Sequence, residues 1–149
     1  MRRAAAALAL CALLASRAHA ADAPAKLEGT WSATNAAKQV FRGFWTAEVA
    51  PATPDVALGT WSMVDERGKM VLGGTWSARR APRGWRGAWS ARLGDSKDVV
   101  SGTWEADDST LARAKTFRDM LARATEKQIA GVWRMGHAHG NWWLAPLPQ

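Results

Sequence analysis

The stretch Gly74-Thr75-Trp76-Ser77-Ala78 decides the fold, because its first three residues, Gly-x-Trp, recur eight times along the chain. Successive copies are mostly 13 to 16 residues apart. This spacing suits single strands joined by turns and is too short for a helical repeat unit. The repeat therefore predicts a β-meander. The copies, which hold eight of the ten tryptophans, begin at Gly29, Gly43, Gly59, Gly74, Gly87, Gly102, Gly131 and Gly140.

Polarity alternates within the copies. From Trp85 to Leu93 the odd positions carry Trp, Gly, Trp, Ala and Leu, and the even positions carry Arg, Ala, Ser and Arg. A period of two predicts strands with one buried and one solvated face. If each tryptophan faces the glycine of the next copy, most of the hairpin centres contain turn-forming residues. The six predicted centres are Ala37, Ala52, Arg67-Gly68, Ala81-Pro82, Asp95-Ser96 and Gly136-His137.

This pairing predicts four inward rows. Two rows alternate indole and glycine, so that each indole covers a bare glycine on the neighbouring strand. The first is Trp31-Gly43-Trp61-Gly74-Trp89-Gly102, and the second is Gly29-Trp45-Gly59-Trp76-Gly87-Trp104. The flanking rows are apolar: Ala33-Phe41-Met63-Leu72-Ala91-Val100 and Leu27-Ala47-Ala57-Ala78-Trp85-Ala106.

The long interval between the sixth and seventh copies predicts one α-helix near residues 109–127. Asp107-Asp108-Ser109 supplies an acidic start with Ser109 as a cap candidate. Apolar residues then recur at steps of three and four, namely Leu111, Ala114, Phe117, Leu121 and Ala124.

We expect the eight antiparallel strands to close into an up-and-down barrel, with a curled open sheet as the alternative. Closure removes the sheet edges and the exposed face of tryptophans, and eight strands enclose a space that side chains can fill. One row of apolar residues is out of phase with the inward rows and falls on the outer face. It consists of Val40, Val64, Val71 and Val99 with Phe44 and Leu58. The helix is expected to cover this row, and a second subunit is the alternative.

The first residues predict export. Arg2 and Arg3 precede a run of twelve apolar residues, and Ala18-His19-Ala20 has the form of a signal-peptidase site. We therefore expect a cleaved signal peptide at 1–20, a single domain at 21–149, and a periplasmic or extracellular location. The domain would contain no cysteine and carry 17 basic against 13 acidic side chains, a net charge of +4. This mild balance does not indicate nucleic acid as a partner.

Leu27-Glu28-Gly29-Thr30-Trp31 resembles the first-strand Gly-x-Trp of the calycin barrels, such as lipocalins and avidins. The resemblance implies an exported eight-stranded meander and a small ligand inside the barrel. Recurrence of the motif in every strand departs from the family pattern. No ligand-binding residue of the family can be matched to this sequence.

Two surface features are candidate binding sites. Arg79, Arg80, Arg83 and Arg86 crowd one hairpin and could hold an anionic partner. Trp143 is out of phase with Trp142, so it should point outward as an exposed aromatic contact.

Catalytic and metal chemistry have little support. His137 and His139 make only two candidate ligands, at a hairpin tip and opposite Arg134. The repeated serines, Ser32, Ser62, Ser77 and Ser90, fall on the wet face without a base beside them. We expect no enzyme activity, no cofactor and no metal. The leading hypothesis is an exported binding or structural module of the cell envelope with a tryptophan-filled core. A carrier of a small apolar ligand and a polyanion binder are the alternatives.

Overall fold

The computed structural model describes residues 23–92, 97–126 and 128–146 as a closed barrel of eight antiparallel strands. Each strand pairs with the next one in sequence, and the last pairs with the first. The predicted up-and-down barrel is confirmed and the open sheet is excluded. The predicted signal peptide and the Asp95-Ser96 turn lie outside the described residues. The strands are β1 (Ala25–Thr34), β2 (Val40–Val49), β3 (Val56–Val64), β4 (Met70–Ala81), β5 (Gly84–Arg92), β6 (Val99–Asp107), β7 (Ile129–Met135) and β8 (Ala138–Pro146).

The predicted register is confirmed in four strand pairs and wrong in two, β2–β3 and β4–β5. Gly faces Trp in the pairs β1–β2, β3–β4, β5–β6 and β7–β8, as in Trp61 opposite Gly74. The expected Gly43–Trp61 and Gly74–Trp89 pairs are replaced by Trp45 opposite Trp61 and Trp76 opposite Trp89. Both ladders are displaced by two residues. Closing a sheet into a barrel requires such a stagger, so the displacement follows from closure.

The helix is shorter than predicted and starts later. A 3-10 turn spans Leu111–Arg113, and the helix α1 spans Phe117–Glu126. Asp108 accepts hydrogen bonds from the backbone N–H and hydroxyl of Thr110, both 2.6 Å, so the acidic start supports only the 3-10 turn. The Thr116 hydroxyl accepts from the Asp119 N–H (3.0 Å), and the Asp119 carboxylate accepts from the Thr116 N–H (3.1 Å). This reciprocal cap begins α1.

Helix α1 closes one end of the barrel. The Phe117 N–H donates to the Pro54 carbonyl in the β2–β3 loop (2.8 Å). Phe117, Met120 and Trp85 are the largest fully buried side chains. The strands facing them carry small residues, since Ala47, Ala57, Ala78 and Ala106 are all buried there. Helix side chains therefore fill the space that these alanines leave.

We expect Thr116→Ala to lower the free energy of unfolding by about 1 kcal/mol, the usual cost of a lost N-cap. Ser109→Ala is the matched control, because Ser109 is exposed and precedes only the 3-10 turn. Urea unfolding of both variants measures the difference. Equal losses would contradict a helix start at Thr116.

The expected helix cover of the outer apolar row is wrong. Val40, Phe44, Leu58 and Val99 remain 50–59% exposed, because α1 lies at the barrel end. The pairing of β3 with β4 shifts between Met63 and Val64, where Leu72 and Met70 are the respective partners. This bulge at Val71 turns Met70 outward, and Met70 is 65% exposed. The outer face of β2–β4 is therefore apolar and uncovered.

Candidate functional site

The repeat tryptophans cross the glycines of the neighbouring strand along the barrel wall. Trp31 on β1 lies over Gly43 on β2 and donates its indole N–H to the Ser62 carbonyl on β3 (3.0 Å). A Cβ on Gly43 would overlap that carbonyl oxygen and lie 2.7 Å from Trp31 Nε1. Only glycine leaves room for the indole at this point. Equivalent bonds of 2.9–3.0 Å run from Trp61 to Ser90, Trp76 to Thr46, Trp104 to Ser77, and Trp133 to Thr34.

The indoles also contact one another edge to face. Trp31 and Trp61 have ring centroids 5.6 Å apart at 83°, and the Trp61–Trp89 pair follows at 6.1 Å and 86°. A second series joins Trp45, Trp76, Trp104 and Trp142 at 5.2–6.4 Å. Such pairs add about 0.5–1.5 kcal/mol each beyond their buried area. The predicted tryptophan-rich interior is thus present, but the predicted rows of alternating indole and glycine are interrupted where Trp45 lies opposite Trp61 and Trp76 opposite Trp89. The second series is continuous with Phe117 through Trp76.

Three buried indole N–H groups, those of Trp85, Trp89 and Trp142, have no partner in the described part of the chain. Trp89 and Trp142 lie over Gly102 and Gly131 with ring carbons, rather than Nε1, nearest the glycine. Both glycines belong to β6 and β7, whose ladder is the shortest in the barrel. The repeat geometry is therefore imperfect where the helical crossover interrupts the meander.

Two depressions open on the outside of the barrel. The first lies on the outer face of β2–β4 and is lined by residues including Phe44, Thr60, Ser62 and Met70. The second lies between the β4–β5 turn and the 3-10 turn. Its lining is mixed in charge, with Arg83 and Arg113 beside Asp107 and Asp108.

The four arginines of the predicted anion site lie on one hairpin but in different surroundings. Arg79 on β4 and Arg86 on β5 are exposed cross-strand partners. Arg83 at the turn forms an ion pair with Asp107 (3.5 Å), and Arg80 donates to the Ala112 carbonyl (3.3 Å). Within the described ranges, no acid lies within ion-pair distance of Arg79 or Arg86. Like charges directly opposite each other destabilise a sheet, so this pair lowers the stability of the barrel.

The acidic neighbour of Arg86 is engaged elsewhere. Glu105 on β6 is the cross-strand partner of Arg86. Its carboxylate instead accepts a charge-assisted hydrogen bond from Arg134 on β7 (2.8 Å). Glu105 is therefore placed between two arginines, Arg134, which it bonds, and Arg86, which lies opposite it.

The other candidate residues are placed apart from this hairpin. Trp143 faces Ser32 and Ala130 on the outer side of β8 and is half-buried. His139 is opposite Arg134, as predicted, and His137 lies in the β7–β8 turn. No group of three or more histidine, cysteine, aspartate or glutamate residues that could hold a metal occurs in residues 23–92, 97–126 and 128–146.

Two of the outward-facing serines make hydrogen bonds or close hydroxyl contacts to the neighbouring strand. The Ser77 hydroxyl accepts a hydrogen bond from the Ala88 N–H (3.2 Å), and the Ser90 hydroxyl is 2.9 Å from that of Thr75.

Met70 was not among the predicted outer residues, because the bulge that exposes it changes the phase of β4 in a way that alternation does not reveal.

No family model, curated protein or solved structure matches the chain. The calycin resemblance therefore stays a prediction from one sequence motif. In the described residues, no helix combines the length and the apolar composition needed to cross a membrane.

Proposed function

We propose that the protein is an exported, non-catalytic module of the cell envelope that acts through its outer surface. The observation that carries this proposal is the occupied interior. Indoles line the wall across neighbouring strands, and Phe117, Met120 and Trp85 fill the end closed by α1. Side chains that bond to the barrel wall are held in structural roles. The exposed arginines and apolar side chains lie outside.

Carriage of a small apolar ligand is the less supported alternative. Carrier sites are concave, enclosed and mostly apolar. Both depressions described above open outward, and the second is lined by charged residues.

An uncharged apolar dye whose emission rises in apolar surroundings separates these two functions. We expect no saturable binding to the wild-type protein and no rise in Tm with dye concentration. Phe117→Ala serves as the positive control, because a large-to-small core change leaves a void that an apolar molecule can enter. Saturable binding to wild type, with the rise in Tm that ligand linkage requires, would favour the carrier.

Binding of an anionic envelope component is the second candidate function. It is favoured by the Arg79–Arg86 pair, two exposed arginines that lie directly opposite each other on neighbouring strands and form no ion pair among the described residues. Guanidinium groups suit phosphate and carboxylate, since their donors match both oxygens of the anion. Arg80 and Arg83 flank the pair near the 3-10 turn.

We expect wild-type protein to bind vesicles of anionic phospholipid and to lose that binding as salt rises, because exposed charges are screened within about 8 Å at physiological ionic strength. Alanine at Arg79, Arg80, Arg83 and Arg86 should weaken binding roughly tenfold or more, since clustered charges act together. The control replaces the same number of exposed cations at the opposite end of the barrel, Lys38, Arg67, Lys69 and Lys97. Equal effects of the two quadruple variants would remove this candidate.

A further inference from the structure

We infer that the outer face of β2–β4 binds a second copy of the chain and forms a two-fold symmetric dimer. This inference does not depend on the proposed function. Three observations carry it: the concentration of exposed apolar side chains on this face, the placement of opposite charges along β2, and the register of β3 beside β2.

Exposed apolar side chains gather on this face. Of the six exposed large hydrophobic residues in the described chain, all but Val99 lie on β2–β4. Contiguous apolar patches on a soluble surface mark interaction sites. The outer depression between Phe44 and Met70 lies within the same patch. The five residues, at 48–65% exposure, are Val40, Phe44, Leu58, Met70 and Val71.

Two opposite charges are placed symmetrically along β2. Arg42 and Glu48 both point outward from β2, three residues to either side of Trp45. Within the described part of the chain neither has an ion-pair partner. A two-fold axis that lies in the interface plane, perpendicular to β2 and level with Trp45, places the copies face to face with their β2 strands antiparallel. Arg42 then meets Glu48 of the partner subunit, and Glu48 meets Arg42 of the partner subunit, as an isologous interface requires.

The same axis gives apolar pairing on β3. Trp61 is level with Trp45, Leu58 is level with Glu48, and Val64 is level with Arg42. Leu58 therefore meets Val64 of the partner subunit, twice in the dimer. Near the axis Thr60, which is level with Thr46, meets Ser62 of the partner subunit, which is level with Phe44, so hydroxyl groups face one another there.

A copy of the chain fits this face better than other occupants. Because the barrel is closed, none of the described strands is an edge strand, and association through this face does not extend a sheet. An anionic membrane surface would favour cations on both sides of the patch, whereas β2, at the centre of the proposed contact, carries one charge of each sign and Arg79 lies at the far end of β4. Self-complementary charge in register with self-complementary apolar contacts indicates a two-fold partner.

Sedimentation equilibrium of the purified protein tests association first. We expect the mass to rise with concentration towards twice that of one chain. Arg42→Glu and Glu48→Arg each create two like-charge contacts per dimer, and each should raise the dimer Kd by roughly tenfold. The double variant Arg42→Glu/Glu48→Arg restores both pairs with the signs exchanged, and should bring Kd back towards wild type. Lys115→Glu makes the same charge change on an exposed residue away from the face, and should leave Kd unchanged.

Disulfide trapping tests the register. In a Cys11→Ser background an introduced cysteine is the only cysteine in the chain. Mixing Arg42→Cys chains with Glu48→Cys chains should give cross-linked dimers under mild oxidation, because these positions meet across the axis. Each variant alone should give few cross-links, because two copies of position 42 lie on opposite sides of the axis.

The outcomes decide the inference. A constant single-chain mass at every concentration overturns it. Dimers with no rescue in the double charge variant, or cross-links equally abundant in each single variant alone, also overturn it. Leu58→Ser changes an exposed side chain and therefore should fold normally, so its dimerisation tests the face even if a charge variant is unstable. Undiminished dimerisation of Leu58→Ser contradicts this face as the interface.

Discussion

Replacing Phe117 by alanine is expected to lower the free energy of unfolding by about 3–5 kcal/mol, the range for a buried aromatic residue. Phe117 is fully buried at the start of α1, with ring centroids 5.6 Å from both Trp76 and Trp85. The cost should fall at the upper end, because the surrounding alanines on the strands cannot extend into the void. Domains of this size are stable by only about 5–15 kcal/mol, so the variant should approach the threshold of folding. Guanidinium chloride unfolding measures the effect.

Phe44→Ala is the matched control, since it makes the same chemical change at a ring that is 50% exposed. Measured at low protein concentration, its loss should be a small part of that of Phe117→Ala. Similar losses for the two variants would mean that α1 does not plug the barrel.

Gly74→Ala is the second variant with a large expected effect. A Cβ at Gly74 would overlap the Ser90 carbonyl oxygen and lie 2.8 Å from the Ala91 Cα. These are backbone atoms of β5, so a change of rotamer cannot relieve the overlap. The strand itself has to move, and with it the carbonyl that accepts the Trp61 indole N–H. We expect a loss of about 3 kcal/mol or more, at or beyond the usual range for overpacking.

The neighbouring glycine provides the control. A Cβ at Gly73 would lie 3.3 Å from the Trp61 carbonyl oxygen and 3.7 Å from the Met70 sulfur, which a small adjustment accommodates. Gly73→Ala should therefore change the free energy of unfolding by less than about 1 kcal/mol, the centre of typical single substitutions. If Gly73→Ala and Gly74→Ala lose the same stability, crowding by the backbone of the neighbouring strand is not the reason for glycine at position 74.

The sequence predicts the barrel and four of its hairpin registers well, because these depend on local features. Gly-x-Trp and the turn residues between copies lie close together in the chain. The displaced pairs Trp45–Trp61 and Trp76–Trp89 were not predictable in the same way. Stagger is a property of the closed barrel, and no short segment records it.

The helix start was missed for a different reason. Two acidic starts compete in this segment, Asp107-Asp108-Ser109 and the pair Thr116 and Asp119. The sequence periodicity continues through both. Only the second makes the reciprocal cap, and Phe117 immediately after it anchors to the Pro54 carbonyl. That anchor depends on a loop more than sixty residues earlier in the chain. The periodicity of the helical segment carries no information about that loop.

The candidate site was predictable in composition and not in arrangement. Alternation correctly placed Arg79 and Arg86 on the outer face. The engagement of Arg83 by Asp107 and of Arg80 by the Ala112 carbonyl depends on where the 3-10 turn lies. The outer apolar face was visible as an out-of-phase row, although its expected cover by the helix was wrong.

Hydrogen exchange of the indole N–H groups shows whether the repeat tryptophans are fixed to the barrel wall and occupy its interior. In nuclear magnetic resonance spectra with assigned indole signals, Trp61, Trp104 and Trp133 should exchange slowly, because each donates to a carbonyl at 2.9–3.0 Å. Trp143, on the outer side of β8, should exchange rapidly. Exchange of Trp61, Trp104 and Trp133 at the rate of Trp143 would mean that these indoles are not fixed to the barrel wall.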